Sequence, residues 1–282
     1  MTNIQFRQCI FAAAGAAVLA IGAAASALAV SVWSADAAAE TCPNPDNETF
    51  VQGKDHCLAI TTFRPSAPTG SLVVFLHGDF SRGGPIPSVR IARTFAGLGA
   101  VVVAMMRPGY TGDGRTSTGV AARDQRPHEK RTAEKIDSIG AAIARLKAHY
   151  RAKRLVLVGH SGGALISGVL LGMRPNLADA ALLISCHCDY HGWRRNHGRR
   201  PVATAQSPLD WLERVRPGVR IVAMTGSADT ITTPANAERY IAAAKAKGLN
   251  AEFIVVPNAG HVLRPRSFWP LMEFVLKEML AR

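Results

Sequence analysis

The sequence predicts an α/β protein built on one mostly parallel, doubly wound sheet. Short apolar runs rich in β-branched residues alternate with segments whose apolar residues recur at helical spacing, and no internal repeat is present. The six runs that predict parallel strands are residues 72–76, 100–105, 155–158, 180–185, 219–224 and 252–256. Parallel strands need crossover connections, which are right-handed, so we expect helices on both faces of the sheet.

The other elements can be placed from the same patterns. A strand pair at residues 48–52 and 57–63 is expected to enter the sheet antiparallel. Helices are predicted near residues 88–98, 132–150, 162–173, 208–215, 234–247 and 268–279. The basic segment around residues 187–208 shows no regular pattern from residue 192 onward, and we predict that it forms a short cap.

The N-terminus has the pattern of a secretory signal. Arg7 precedes an Ala-rich apolar stretch at residues 11–32, and small residues follow at 35–39. We therefore expect a signal peptide over residues 1–39, a single domain over 40–282, and an exported protein that is periplasmic or secreted. The apolar stretch is also long enough to span a bilayer, so an uncleaved membrane anchor is the alternative.

Four cysteines lie after the predicted signal, which is an even number in a compartment that permits disulfides. We predict that Cys42 pairs with Cys57. Cys186 and Cys188 either form a local disulfide or remain free thiols. The segment Cys186-His187-Cys188-Asp189, with His191 close by, has a spacing that matches no usual zinc pattern. The sequence therefore predicts no metal and no other cofactor.

The formal net charge is +13, and much of the excess falls in residues 107–131 and 194–200. Such a bias can attract anionic lipid, polysaccharide or acidic substrates. The sequence has no nucleic-acid motif and no aromatic residues interleaved with the charges, so nucleic acid is not an expected partner. We interpret the two basic segments as solvated surface, with at most weak association with anionic surfaces.

The most informative motif is Gly159-His160-Ser161-Gly162-Gly163, which lies between a predicted strand and a predicted helix. In a G-x-S-x-G turn the glycines allow the chain to approach itself closely, so that the serine oxygen projects from the edge of the sheet. Ser161 is therefore the candidate nucleophile. The backbone N–H of Gly162, at the start of the helix, is a candidate oxyanion donor.

A serine hydroxyl needs a base with a pKa near neutrality, and the base needs a carboxylate to orient it. His261 follows the last predicted strand and comes after the candidate acid in chain order. Asp229 follows the strand at 219–224. Asp179 and Asp210 precede strands and would lie at the wrong end of the sheet. We predict Ser161, Asp229 and His261 as a catalytic triad.

The second oxyanion donor is expected in the loop after the strand at residues 72–76. The backbone N–H of Asp79 or Phe80 is the candidate, with His77 and Gly78 shaping the turn. A carboxylate is an unfavourable neighbour for a developing anion, so we expect the side chain of Asp79 to point away.

These motifs together resemble the α/β-hydrolase superfamily over nearly all of residues 55–282. The matching features are His77-Gly78, the Ser161 motif, Gly226 with Asp229, and Gly260-His261. Arg107-Pro108-Gly109-Tyr110 is also similar to a loop found in prolyl-peptidase relatives. The resemblance implies an α/β-hydrolase fold and a serine hydrolase that acts through an acyl-enzyme on a small-molecule ester or peptide.

The expected function is an exported hydrolase of carboxylic esters. A peptidase of the prolyl-peptidase type is the first alternative, but it needs an acidic site for the substrate amino terminus, and the cap here is basic. A non-catalytic binding protein on the same scaffold is the second alternative. The short cap argues against a deep, lidded lipase pocket, and the sequence carries no information on oligomeric state.

Overall fold

The computed structural model describes residues 40–67, 70–80 and 88–281. The predicted signal peptide over residues 1–39 lies outside the described residues. Within the described ranges, no helix is both long enough and apolar enough to cross a membrane.

The described residues form an eight-stranded sheet with the strand order β1-β2-β4-β3-β7-β8-β9-β10. Its strands are β1 (Phe50–Gln52), β2 (Cys57–Phe63), β3 (Ser71–Leu76), β4 (Val101–Met105), β7 (Arg154–His160), β8 (Ala180–Ile184), β9 (Arg220–Gly226) and β10 (Asn250–Val256). β1 and β2 pair antiparallel, and β2 is antiparallel to β4. The other six strands are parallel and coincide with the six apolar runs, so the predicted fold class is confirmed.

Helices cover both faces of this sheet, and each face has its own apolar core. The helices are α1 (Ser88–Phe95), α2 (Ala133–His149), α3 (Gly162–Met173), α4 (Tyr190–Asn196), α5 (Pro234–Ala246) and α6 (Pro265–Ala281). Side chains of α2, α3 and α5 pack into one core, and those of α1 and α6 into the other. The central strands are buried on both faces, which explains their continuous apolar sequences.

Three segments differ from the sequence prediction. Residues 192–196, expected to be irregular, belong to α4, whose N-cap Asp189 accepts a hydrogen bond from the N–H of Gly192 at 2.8 Å, whereas residues 197–207 contain no helix or strand, as expected. The loop expected at 107–127 contains a small hairpin of β5 (Thr111–Gly112) and β6 (Arg115–Thr116). The helix expected at 208–215 is a 3₁₀ helix, Pro208–Arg214. These elements depend on capping residues and turns, which leave little periodicity in the sequence, so the pattern of apolar residues did not predict them.

Both cysteine pairs are disulfides in the structure. Cys42 is bonded to Cys57, as predicted, and this bond fastens the N-terminal segment to the start of β2. Cys186 is bonded to Cys188 directly after β8, which resolves the alternative that the sequence left open. Both of the latter cysteines are buried.

The topology gathers several loops at one edge of the sheet. The carboxyl ends of parallel strands share an edge, and in such sheets that edge is where ligands bind. β3 leads into His77 and Asp79, β7 into Ser161, β9 into Asp229, and β10 into His261.

Candidate active site

Ser161 occupies the sharp turn between β7 and α3. Its backbone has φ 52° and ψ −115°, a left-handed conformation that a serine rarely adopts and that the surrounding packing must enforce. Its N–H donates to the carbonyl of Ile184 in β8 at 2.8 Å. The turn therefore presents the hydroxyl at the carboxyl edge of the sheet, as the motif predicts.

Two glycines of the motif allow this turn. A Cβ at Gly159 would lie 2.5 Å from the backbone nitrogen of Ala164 in α3. A Cβ at Gly163 would overlap the carbonyl oxygen of Leu76 at the end of β3. The start of α3 therefore packs directly against two strands, and no residue larger than glycine fits at either position.

The structure brings the three predicted triad residues together. The Oγ of Ser161 lies 3.0 Å from Nε2 of His261, and Nδ1 of His261 lies 2.9 Å from Oδ2 of Asp229. Because the carboxylate can only accept, Nδ1 carries a proton, and the other ring nitrogen, Nε2, faces the hydroxyl of Ser161.

Asp229 is buried and fixed by its own loop. It accepts hydrogen bonds from the N–H of Ile231 at 2.9 Å and from the N–H and hydroxyl of Thr232, each at 2.8 Å. Burial raises the pKa of this carboxyl, but the hydrogen bonds from His261 and Thr232 together have the larger effect and bring the pKa down to about 2. Asp229 is therefore a carboxylate at neutral pH.

Thr232 is a site residue that the sequence analysis missed. Its hydroxyl also lies 3.1 Å from Nδ1 of His261, so it contacts both the acid and the imidazole. A threonine three residues after an aspartate is a common turn, and no motif distinguishes this one.

The predicted oxyanion site lies between the start of α3 and the loop after β3. Among the described residues, the N–H groups of Gly162 and Asp79 meet no acceptor. Burial raises the pKa of the Tyr110 hydroxyl. An interaction between the backbone N–H of Phe80 and the Tyr110 oxygen lowers this pKa in part. Phe80 is thus already near an acceptor, which favours Asp79 over Phe80 as the second donor.

The carboxylate of Asp79 does not point away from the site, so that expectation was wrong. A Cβ at Gly162 would overlap Oδ1 of Asp79. The carboxylate is neutralised instead: Arg107 donates to Oδ1 at 2.7 Å, and Arg131 pairs with Oδ2. Burial raises the pKa of Asp79, whereas Arg131 and Arg107 lower it more, so that the pKa is well below its ordinary value.

Asp79 belongs to a larger group of charged residues, which we call the Asp79 cluster: Asp79, Arg107, Lys130 and Arg131. The three cations are only 1%, 6% and 3% exposed in chain order. The interpretation of residues 107–131 as solvated surface is therefore wrong for these three side chains. In the other basic segment, Arg195, Arg199 and Arg200 are exposed.

Three further histidines surround the site. Nδ1 of His77 donates to the carbonyl of Gly78 at 2.7 Å, while Nε2 accepts from the N–H of Arg107 at 3.1 Å, which joins the loops after β3 and β4. His160 donates to the carbonyl of His261 at 2.9 Å. His187 packs edge-on against Trp193. Burial lowers the pKa of all three, to about 3 for His77 and His187 and about 4 for His160, so these rings are neutral.

Apolar side chains remain exposed next to the site residues. Phe80, Ile231 and Val262 are 38%, 48% and 64% exposed. They come from the oxyanion loop, the loop of Asp229 and the residue after His261. The site therefore offers apolar surface to a substrate beside its polar groups.

Comparison with known sequences decides the family. The sequence model of the prolyl oligopeptidase family matches residues 88–275, about two thirds of the chain. The chain belongs to the prolyl oligopeptidase family. Ser161, Asp229 and His261 lie within the matched residues, and Asp79 and Phe80 precede them. Family and fold together make it a serine hydrolase of the α/β-hydrolase superfamily, with small-molecule or peptide substrates. No curated protein matches this chain significantly.

Solved structures of low sequence identity share the fold. An esterase from Pyrococcus furiosus is 18% identical with a TM-score of 0.62, and the match covers 83% of this chain and 90% of that one. An acylaminoacyl peptidase from Pyrococcus horikoshii is 15% identical with a TM-score of 0.64, over 80% of this chain and 40% of that one. An alpha-beta serine hydrolase homologue from Coxiella burnetii is 15% identical with a TM-score of 0.56, over 86% and 99%.

The packing at Gly163 predicts the effect of a single methyl group. Gly163→Ala should lower the free energy of unfolding by about 1–3 kcal/mol, because the Cβ meets the backbone of β3 and not a side chain that can move. Gly97→Ala is the matched control, since a Cβ there meets nothing within 4 Å and should change stability by less than about 0.5 kcal/mol. Equal effects of the two changes in urea unfolding would contradict this view of the turn.

The buried histidines predict acid sensitivity. In the unfolded chain, His77 and His187 bind protons below their ordinary pKa of 6.5. In the folded protein, burial lowers the pKa of both rings to about 3, so they bind protons only near that pH. The free energy of unfolding should therefore fall as the pH drops from 6.5 to 4.5, by up to about 3 kcal/mol per pH unit for the pair. Urea unfolding at several pH values measures this slope, and His187→Asn should reduce it. A flat profile over this range would show that the rings are not buried and neutral.

Proposed function

We propose that this protein is an exported serine hydrolase that cleaves carboxylic esters through an acyl-enzyme. Ser161 is the nucleophile, His261 the general base and Asp229 the residue that orients it. One observation carries the proposal: the unbroken chain of contacts from Ser161 Oγ through both nitrogens of His261 to Asp229, at 3.0 and 2.9 Å.

In the first step Ser161 Oγ attacks the ester carbonyl carbon, and its proton passes to Nε2 of His261. The imidazolium is stabilised by Asp229, which stays ionised because its pKa is about 2; burial raises it, and the hydrogen bonds of His261 and Thr232 lower it more. The tetrahedral oxyanion accepts from the N–H groups of Gly162 and Asp79. Nε2 then returns the proton to the departing alcohol, which leaves an acyl-serine. Water repeats the sequence and releases the acid.

The charges around the site favour an ester over a peptide with a free amino terminus. A substrate ammonium needs a carboxylate, and the two carboxylates of the site, Asp79 and Asp229, are already paired with arginines and with His261. The exposed apolar side chains Phe80, Ile231 and Val262 suit an apolar acyl or alcohol group instead. Membership of the prolyl oligopeptidase family keeps a peptidase as the second candidate.

The triad assignment predicts the loss of activity in two variants. Ser161→Ala should lower kcat for a short 4-nitrophenyl ester by several orders of magnitude and abolish fluorophosphonate labelling. Asp229→Asn should lower kcat by about 10⁴-fold, because the amide favours the wrong tautomer of His261. Asp210→Asn is the control: Asp210 is 54% exposed and pairs with His191, so activity should be retained.

The outcomes separate the candidate functions. Labelling with hydrolysis of proline amides but not of esters would favour the peptidase. No labelling of the wild-type protein would support a non-catalytic scaffold. A loss below tenfold in Asp229→Asn would assign the role to another carboxylate.

The proposal of export rests on the N-terminal sequence and on the two disulfides. Mass spectrometry of envelope-derived protein should find a chain that begins between Asp36 and Thr41, with Cys42 joined to Cys57. Retention of residues 1–35 would show an uncleaved anchor. Alkylation of Cys42 without prior reduction would show that its disulfide is absent in the cell.

A further inference from the structure

The Asp79 cluster carries more positive than negative charge. Its three cations, Arg107, Lys130 and Arg131, surround a single carboxylate. Both arginines pair with Asp79, one on each oxygen. Among the described residues, the side chain of Lys130 has no ion pair or hydrogen bond, and its Nζ lies over the ring of Tyr110, 5.6 Å from the ring centroid.

This imbalance is costly in the free protein. A buried charge needs an opposite charge or several hydrogen bonds to offset the loss of its hydration. Aromatic rings offset part of that loss: Arg107 lies 4.9 Å from the centroid of Tyr110, and Arg131 lies 4.5 Å from that of Tyr190. The cluster nevertheless has two more positive charges than negative ones, and Lys130 is the cation in it that has no carboxylate partner among the described residues. Burial lowers the pKa of Lys130, and the two arginines lower it further against the opposing effect of Asp79.

The excess charge lies next to the reacting serine. Oδ1 of Asp79 sits against the Cα of Gly162, the residue after Ser161. The hydroxyl of Tyr110 lies 3.5 Å from the same oxygen, and Nζ of Lys130 lies over the ring of Tyr110. Asp79 and Tyr110 thus connect Gly162, the residue after Ser161, to Lys130 by successive contacts, so Lys130 belongs to the group of residues that surrounds the site.

We propose that the substrate carries a carboxylate in addition to the scissile ester, and that Lys130 binds it with support from Arg131. This inference rests on the function proposed above and narrows it to acidic esters, such as half-esters of dicarboxylic acids. Asp79 supplies the backbone donor to the oxyanion, while its paired side chain holds the two arginines in place.

The exposed cap arginines are the competing source of positive charge. Arg195, Arg199 and Arg200 are exposed, so any attraction that they exert is screened within about 10 Å at 0.1 M salt. An ion pair at Lys130, which is 6% exposed, is screened much less. Salt therefore separates the two: a preference that arises at Lys130 persists in 0.5 M NaCl, and one that arises at the cap disappears.

The first test compares esters that differ only in charge. The mono-4-nitrophenyl ester of adipic acid is paired with its terminal carboxamide, and the hexanoate ester of 3-hydroxybenzoate with that of 3-hydroxybenzamide. The wild-type protein should prefer the carboxylate in at least one pair by about tenfold or more in kcat/KM. Lys130→Gln should abolish that preference, and Lys130→Arg should retain most of it.

Lys153→Gln is the matched control, because Lys153 is exposed and lies just before β7 at the opposite edge of the sheet. It removes the same net charge and should leave the preference unchanged. Equal rates within both pairs would overturn the proposal. So would a preference that survives in Lys130→Gln but is lost when Arg194, Arg195, Arg199 and Arg200 are replaced by Gln.

A binding measurement keeps this inference distinct from the proposed ester hydrolysis. Calorimetry with the Ser161→Ala variant should show tighter binding of adipic acid monoanilide and of 3-hexanamidobenzoate than of their terminal carboxamides, without any turnover. The difference should vanish in the variant that also carries Lys130→Gln. If the wild-type protein cleaves no ester, this result still decides whether Lys130 binds a carboxylate, and equal affinities within both pairs would refute it.

Discussion

The structure around the site depends on the ion pairs of one partly buried carboxylate, that of Asp79. Asp79 joins the loop after β3 to Arg107 in the loop after β4 and to Arg131 in the segment before α2, while its oxygen contacts Gly162 at the start of α3. Removal of the Asp79 side chain would leave both buried arginines without their ion pair, and breaking a buried pair in this way costs about 3–5 kcal/mol. The side chain of Asp79 therefore connects four separate segments of the chain.

This arrangement sets the electrostatic character of the site. In the proposed site Asp229 is a buried carboxylate paired with His261, and the Asp79 cluster adds a net excess of positive charge beside Gly162. Under the proposed mechanism, negative charge that develops on a substrate oxygen forms at the backbone donors of Gly162 and Asp79, in a region where three further histidines are kept neutral by burial. A site of this kind stabilises anions without reorganising.

Much of the fold, and the proximity of Ser161, Asp229 and His261, could be predicted from the sequence, because the signals are local. The parallel strands are apolar runs, and the G-x-S-x-G turn follows from two glycines whose neighbours leave no room for a Cβ. The Asp79 cluster could not be predicted in this way. Arg107 and Arg131 look like surface residues in a polar segment, and their burial depends on a carboxylate 28 and 52 residues away. Thr232 and α4 were missed because turns and caps have no periodicity.

The disulfide between Cys186 and Cys188 gives His187 an unusual kind of support. The bond closes a small covalent ring around this residue, while Nδ1 of its imidazole has no hydrogen-bond partner among the described residues. The backbone that directs the side chain toward Trp193 is thus fixed by the disulfide ring and not by a hydrogen bond of Nδ1. A change of side chain at position 187 consequently alters the surface beside Trp193 while the covalent ring holds the backbone in place.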